Sequence, residues 1–143
     1  MTAARTAGYS HRSLREKLGL RAGMRVCFVD APTSYRSLLG PLPEGVLVDE
    51  TLRGRKDFIH FFTDRESRLA SRLPALGRAL RPAGMLWVSW PKRASGVSTD
   101  LTEDVVRRLA LGNGLVDVKV CAVDETWSGL KLVVPLADRP RRG

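Results

Sequence analysis

Apolar and polar residues follow two different periods along this chain, and the changes of period mark its elements. Residues 24–30 (MRVCFVD) form a short run of β-branched, aromatic and other apolar side chains bounded by Gly23 and Pro32, the pattern of a buried strand. Residues 46–48 predict a second, shorter strand ending in Asp49 and Glu50, and residues 57–62 (DFIHFF) a third that is apolar on both faces. Between the first two there is room for one short helical turn over 35–39 before the loop Gly40-Pro41-Leu42-Pro43.

A helical period follows. Leu69, Leu73, Leu76 and Leu80 recur on one face up to Pro82; Thr63 and Glu66 have capping-box spacing at its start, and Pro74 inside it is expected to kink or divide it. Residues 84–90 predict a fourth strand. After a Ser/Gly-rich loop over 91–99, Asp100 is the expected N-cap of a helix lined by Leu101, Val105 and Leu109 and ended by Gly112-Asn113-Gly114. The period then becomes two. Val116, Val118, Val120 and Ala122 point one way, Asp117, Lys119 and Cys121 the other, and Leu130, Leu132 and Val134 continue as a return strand. At the other end, a frayed tail to about Tyr9 leads to a short helix with a Ser13/Glu16 capping box, Leu14 and Leu18 on one face, and Gly19 as its stop.

Strands alternating with helices imply an α/β fold with a sheet covered on both faces, here closed by an antiparallel hairpin. The expected organisation is one domain over 10–136, between a disordered tail at 1–9 and a basic tail at 137–143. Composition agrees: 143 residues at 43% apolar content are enough for one core. No apolar run reaches the length of a membrane span, and the N-terminus lacks the hydrophobic core of a secretory signal. The N-terminal stretch is free of acids and holds Arg5, Arg12 and Arg15, so an organellar transit peptide stands as an alternative to the frayed tail. Cys27 and Cys121 lie in separate strand-like runs without metal-spaced neighbours, which points to reduced core cysteines in a cytoplasmic protein and to no metal site.

The net charge of +9 raises the question of nucleic acid. The bases are scattered, however. Arg65, Arg68 and Arg72 share a helical face, Arg53 to Lys56 a turn, and Arg139 to Arg142 the tail, with no interleaved aromatics for stacking and no helix-turn-helix or zinc-finger spacing. A solvated basic surface is the expectation, and specific nucleic-acid binding is not.

Certain words in the chain are familiar. Leu18-Gly-Leu-Arg-Ala-Gly-Met-Arg-Val26 entering the first strand resembles the start of class I methyltransferases, and Arg78-Ala-Leu-Arg-Pro-Ala-Gly-Met-Leu-Trp-Val88 is similar to their helix-to-fifth-strand passage. The segments WVSWPK, TDLTEDVVR and VDVKVCAVDETWSGLK resemble a short bacterial Rossmann-like family of unknown function. The resemblance implies a three-layer, Rossmann-like, methyltransferase-like fold with a mostly parallel sheet. On that strand order the two cysteines are too far apart to pair.

The chain departs from the methyltransferase pattern where the cofactor would sit. There the first strand should enter a glycine-rich turn, which lets the backbone approach the cofactor at a helix N-terminus. Here it enters Asp30-Ala-Pro-Thr-Ser-Tyr35, with no glycine and with Pro32 removing a donor. Asp49 and Glu50 do stand about twenty residues after Asp30, the distance of a ribose-binding carboxylate. The link from there to Asp57 is too short for a helical crossover, so the N-terminal half of the sheet is expected to be abbreviated.

Ligands of open parallel sheets bind beyond the carboxyl ends of the strands. That rule collects Asp30, Thr33, Ser34, Tyr35 and Asp49 in the first half, Trp90, Lys92 and Arg93 after the fourth strand, and Asp124 and Trp127 at the hairpin tip. Lys92 and Arg93 suit an anion, and Trp90 and Trp127 could stack on a planar ligand. His60, mid-strand, is expected to be a hydrogen-bonded core residue, and no catalytic residue is assigned. The expected function is a non-catalytic, methyltransferase-like binding or regulatory domain, with a protein or a small anionic ligand as partner. S-adenosylmethionine (SAM) is not the favoured ligand; a SAM-dependent methyltransferase or other small-ligand enzyme with an atypical cofactor loop is the alternative, and a nucleic-acid-binding basic protein the third.

Overall fold

The computed structural model of the chain describes residues 12–140. The tail over 1–9 and His11 lie outside them, as do the last three residues of the basic tail. In chain order the elements are α1 (Leu14–Leu18), β1 (Arg25–Val29), α2 (Tyr35–Leu39), β2 (Leu47–Asp49), β3 (Lys56–Phe62), α3 (Glu66–Arg78), β4 (Leu80–Pro91), α4 (Glu103–Leu111), β5 (Val116–Ala122) and β6 (Trp127–Val133). Short 3₁₀ turns cover Arg93–Ser95 and Leu136–Asp138.

The strands form one sheet in the order β2-β1-β3-β4-β6-β5. The first four run parallel; β6 is antiparallel to β4 and to β5. The fold is therefore the α/β, mostly parallel sheet with a terminal antiparallel hairpin that the sequence predicts. Its first half is short because β2 has only three residues, so the chain can return to β3 without a helix. That return is held by charge: Asp49 binds Arg25 Nε at 2.6 Å and the fully buried Lys56 Nζ at 2.8 Å.

Alternating side chains send the strands' apolar residues to both faces. On one face Ile59, Phe61, Leu86 and Val88 meet Leu69, Leu73 and Leu76 of α3 and Val106 and Ala110 of α4. On the other, Val26, Phe58, Phe62 and Trp87 meet Leu18 of α1 and Tyr35 and Leu39 of α2. The Trp87 indole N–H donates to the Leu18 carbonyl at 2.8 Å, which anchors the end of α1 to the middle of the sheet. At α1 the sequence pattern is realised in full: Ser13 and Glu16 form a reciprocal capping box, and Gly19 ends the helix at φ 89°.

Several local expectations are corrected. Thr63 and Glu66 form no capping box, because α3 begins only at Glu66; Thr63 Oγ1 accepts from the Arg65 amide, and the Glu66 amide is capped instead by Asp100 Oδ1 at 2.7 Å. Asp100 is thus not the cap of α4, a place taken by Thr102, whose Oγ1 accepts from the Val105 amide. Pro74 does not divide α3, which is continuous. Pro74 and Ala70 are both exposed, so the Ala70 carbonyl that loses its amide partner lies where water can serve it.

The fourth strand begins directly after the helix, at Leu80, and a register shift around Pro82 and Gly84 brings it into pairing with β3. A Cβ at Gly84 would lie 2.8 Å from the Lys56 carbonyl, so only glycine fits this irregularity. The valines of β5 are not core residues: Val118 and Val120 are 54% and 51% exposed because β5 is the edge of the sheet. Cys27 and Cys121 are free thiols on β1 and β5, with β3, β4 and β6 between them. No helix among the described residues is long and apolar enough to cross a membrane.

Candidate functional site

The sequence-predicted residues fall into three separate places. The first is the crevice at the carboxyl end of β1, between β2 and β3. Asp30 leaves β1 at φ 57°, a left-handed conformation tolerated by Asp and suited to glycine. Its carboxylate is taken by the Arg68 guanidinium of α3, which also lies 6.0 Å from the centre of the Phe61 ring. Thr33 and Ser34 are exposed, and Ser34 precedes α2 without a side-chain capping bond.

Tyr35 turns inward. It is completely buried, and its hydroxyl lies 2.6 Å from His60 Nδ1, while His60 Nε2 lies 2.8 Å from the buried Ser89 Oγ. A neutral imidazole accepts at one nitrogen and donates at the other, so it can join the two hydroxyls in one chain. Burial drives the His60 pKa down to about 3 and raises that of Tyr35. Both therefore stay uncharged at neutral pH. His60 is the hydrogen-bonded core histidine that its mid-strand position suggests, and its two partners come from α2 and β4.

What remains of this crevice is a cavity of about 240 Å³ lined by Phe28, Ala31, Tyr35, Arg36, Val48, Asp49 and Glu50. Arg36 lies over the Phe28 ring at 5.5 Å. Hydrogen bonds from Arg25 and then Lys56 hold Asp49 down to a pKa of about 2. Asp49 is thus a carboxylate already spent on the β2–β1–β3 junction, whereas Glu50 is exposed.

The second place is a larger cleft, about 600 Å³, between the end of β4, the loop 92–99 and the N-terminus of α4. Trp90, Lys92 and Arg93 line it, with Val97, Ser98, Thr99 and Thr102 on the far wall and Ser128 from β6. Ser128 enters because it is the register partner of Trp90. Among the described residues, neither Lys92 nor Arg93 has a side-chain ion pair or hydrogen bond.

The third place is the hairpin tip. Asp124 Oδ1 accepts from the amides of Thr126 and Trp127, each at 2.8 Å, and so shapes the turn. Trp127 packs edge-on against Phe62 at 5.2 Å, on the α1/α2 face, while Trp90 belongs to the α3/α4 core. The two tryptophans face opposite sides of the sheet and cannot sandwich one ligand. Sequence reasoning missed Arg68 as the partner of Asp30, Ser89 as the partner of His60, and Ser128. Only the last had a local signal, in the alternation of the return strand.

No protein-family model and no curated protein matches the chain. Its fold does match solved structures. It is similar to magnesium protoporphyrin IX methyltransferase from Synechocystis PCC 6803 with bound SAM, at a TM-score of 0.55 and 10% identity over 85% of this chain and 74% of the other. A SAM-dependent methyltransferase from Aquifex aeolicus matches at a TM-score of 0.58 and 15% identity, over 84% of this chain and 87% of that one. Precorrin-6y C5,15-methyltransferase from Geobacter metallireducens GS-15 matches at 0.57 and 11% identity, over 85% and 86%. At these identities the likeness is one of fold: the chain has a methyltransferase-like Rossmann fold.

Proposed function

We propose that this chain is a methyltransferase-like binding or regulatory domain that transfers no methyl group. The observation that carries this reading is the turn after β1. Pro32 and Ser34 stand in a segment that has no glycine, Asp30 is bound to Arg68, and Tyr35 is drawn into the core by His60. The cavity of about 240 Å³ left there is smaller than the roughly 300–1,000 Å³ of ordinary small-molecule sites. A cofactor of adenosyl size would have to displace the protein's own contacts. The reading predicts no thermal shift with SAM or S-adenosylhomocysteine, since a ligand that binds the native state must raise its melting temperature. A saturable shift at micromolar concentration would overturn it.

A second reading, a methyltransferase with an altered cofactor seat, is favoured by the SAM-dependent methyltransferases among the similar structures. It would place the ribose hydroxyls on Glu50, the exposed carboxylate at the end of β2. Binding of SAM that is lost in Glu50→Gln, a change that spares the Arg25–Asp49–Lys56 junction, would support it over the first.

A further inference from the structure

We infer that the cleft between β4 and α4 is a binding site for a small phosphate-bearing ligand, distinct from the β1–β2 crevice and independent of whether that crevice takes a cofactor. The decisive group is Trp90. The residue is 5% exposed and lines the cleft, yet its indole N–H has no acceptor among the described residues. Nor is that nitrogen sealed in the core: Arg72 Nε is the one buried side-chain nitrogen or oxygen without a partner among the described residues. The indole N–H therefore keeps access to solvent, in a residue that lines the cleft. A buried tryptophan ordinarily satisfies this donor, as Trp87 does with the Leu18 carbonyl.

Around Trp90 the polar lining is mostly hydroxyls and positive charge, which suits an anion, with a single carboxylate among it. Lys92 and Arg93 carry two cations without carboxylate partners, and the Ser128 hydroxyl stands beside Trp90 in the register. Helix α4 points its N-terminus at the same space; Thr102 caps the Val105 amide and leaves the earlier amides of the first turn to other acceptors. Glu103 at the rim is the one carboxylate lining the cleft, and it is held by Arg107. A tetrahedral oxyanion takes donors of the kinds this lining offers, indole, hydroxyl and helix amide, with Lys92 and Arg93 to meet its charge. The cleft of about 600 Å³ leaves room for more than the anion itself, so an organic group attached to the phosphate is expected to add affinity.

The test is a titration of the full chain at constant ionic strength with inorganic phosphate, with phenyl phosphate and with sodium chloride, read at the tryptophan indole resonances by NMR. The expected result is a saturable shift of the Trp90 indole with both phosphates, tighter for phenyl phosphate, and none with chloride. Lys92→Ala combined with Arg93→Ala should weaken binding by about tenfold or more, the weight of a lost charge-assisted hydrogen bond, with the melting temperature unchanged. Arg21→Ala combined with Arg53→Ala, an equal loss of two positive charges elsewhere, should leave affinity as it was. A shift that is linear in salt, or unaltered affinity in the double variant, overturns the site. Binding of inorganic phosphate as tight as phenyl phosphate overturns the organic extension. A single-stranded oligonucleotide that binds through Lys92 and Arg93 while phenyl phosphate does not would overturn the small-ligand assignment.

Discussion

The two crevices at the carboxyl edge of the sheet differ in what their polar groups are doing. At the β1–β2 crevice Asp30 is held by Arg68, Asp49 by Arg25 and Lys56, and Tyr35 by His60. At the β4–α4 cleft Trp90, Lys92 and Arg93 have no such partners among the described residues. The same chain end of the same sheet thus offers one place where polar chemistry has been absorbed into structure and one where it is free. A residue's position at a strand end says where a ligand could sit; the partners of its side chain say whether it is available.

This contrast can be broken by mutation, because absorbed residues should cost stability and free ones should not. The largest effect is expected for His60→Leu, which leaves the buried Tyr35 and Ser89 hydroxyls unpaired at about 1–3 kcal/mol each; urea unfolding should show a loss of about 3 kcal/mol. If the midpoint is unchanged, the Tyr35–His60–Ser89 chain is not holding α2 in place.

The next effect is one of pH. The folded pKa of His60 is depressed to about 3, against about 6.5 in an unfolded chain. The neutral form is thus stabilised by folding, so this contribution is present above the unfolded value and is lost as pH falls toward the folded one. Wild-type stability should drop by roughly 2 kcal/mol between about pH 7.5 and about pH 5, and His60→Leu should flatten that drop. Asp49 adds a second loss only further down, between the unfolded carboxylate range near about 4 and its folded value of about 2.

Smaller effects sharpen the comparison. Asp100→Ala removes the cap of α3 from outside the helix and should cost about 1 kcal/mol, read as a lowered melting temperature. Arg68→Ala breaks a half-exposed ion pair and should cost no more than about 1 kcal/mol. Lys92→Ala should lie within about 0.5 kcal/mol of wild type. A cost for Lys92→Ala as large as that for Asp100→Ala would mean that Lys92 is a structural residue after all.

The fold was legible in the sequence to the degree that it rests on local chemistry. Ser13, Glu16 and Gly19 sit within one turn and cap α1 as their types require. The strands β1, β3 and β4 were legible from their β-branched and aromatic runs. What the pattern could not carry was any contact between distant segments. Asp100 looks like a cap for the helix that follows it and instead caps α3, because the fold brings the loop before α4 onto the start of that helix. Val118 and Val120 alternate like a buried strand, but burial depends on which strand is last in the sheet.

The candidate site divides in the same way. Lys92, Arg93 and Trp90 are neighbours in the chain and share one cleft. Asp30 and Tyr35 are also near neighbours, but their availability is decided by Arg68 and His60, which lie far along the sequence. Trp90 and Trp127 looked like a pair only because strand ends meet; the alternation of β4 and β6 puts them on opposite faces.

The most direct test of the central claim, that the β1–β2 crevice is closed by the protein's own partners, is an amide-resolved NMR titration of the full chain with S-adenosylhomocysteine. The amides of residues 28–36 and of Asp49 and Glu50 are expected to stay in place up to millimolar ligand. Saturable shifts of those amides at micromolar ligand, abolished in Glu50→Gln, would contradict the account.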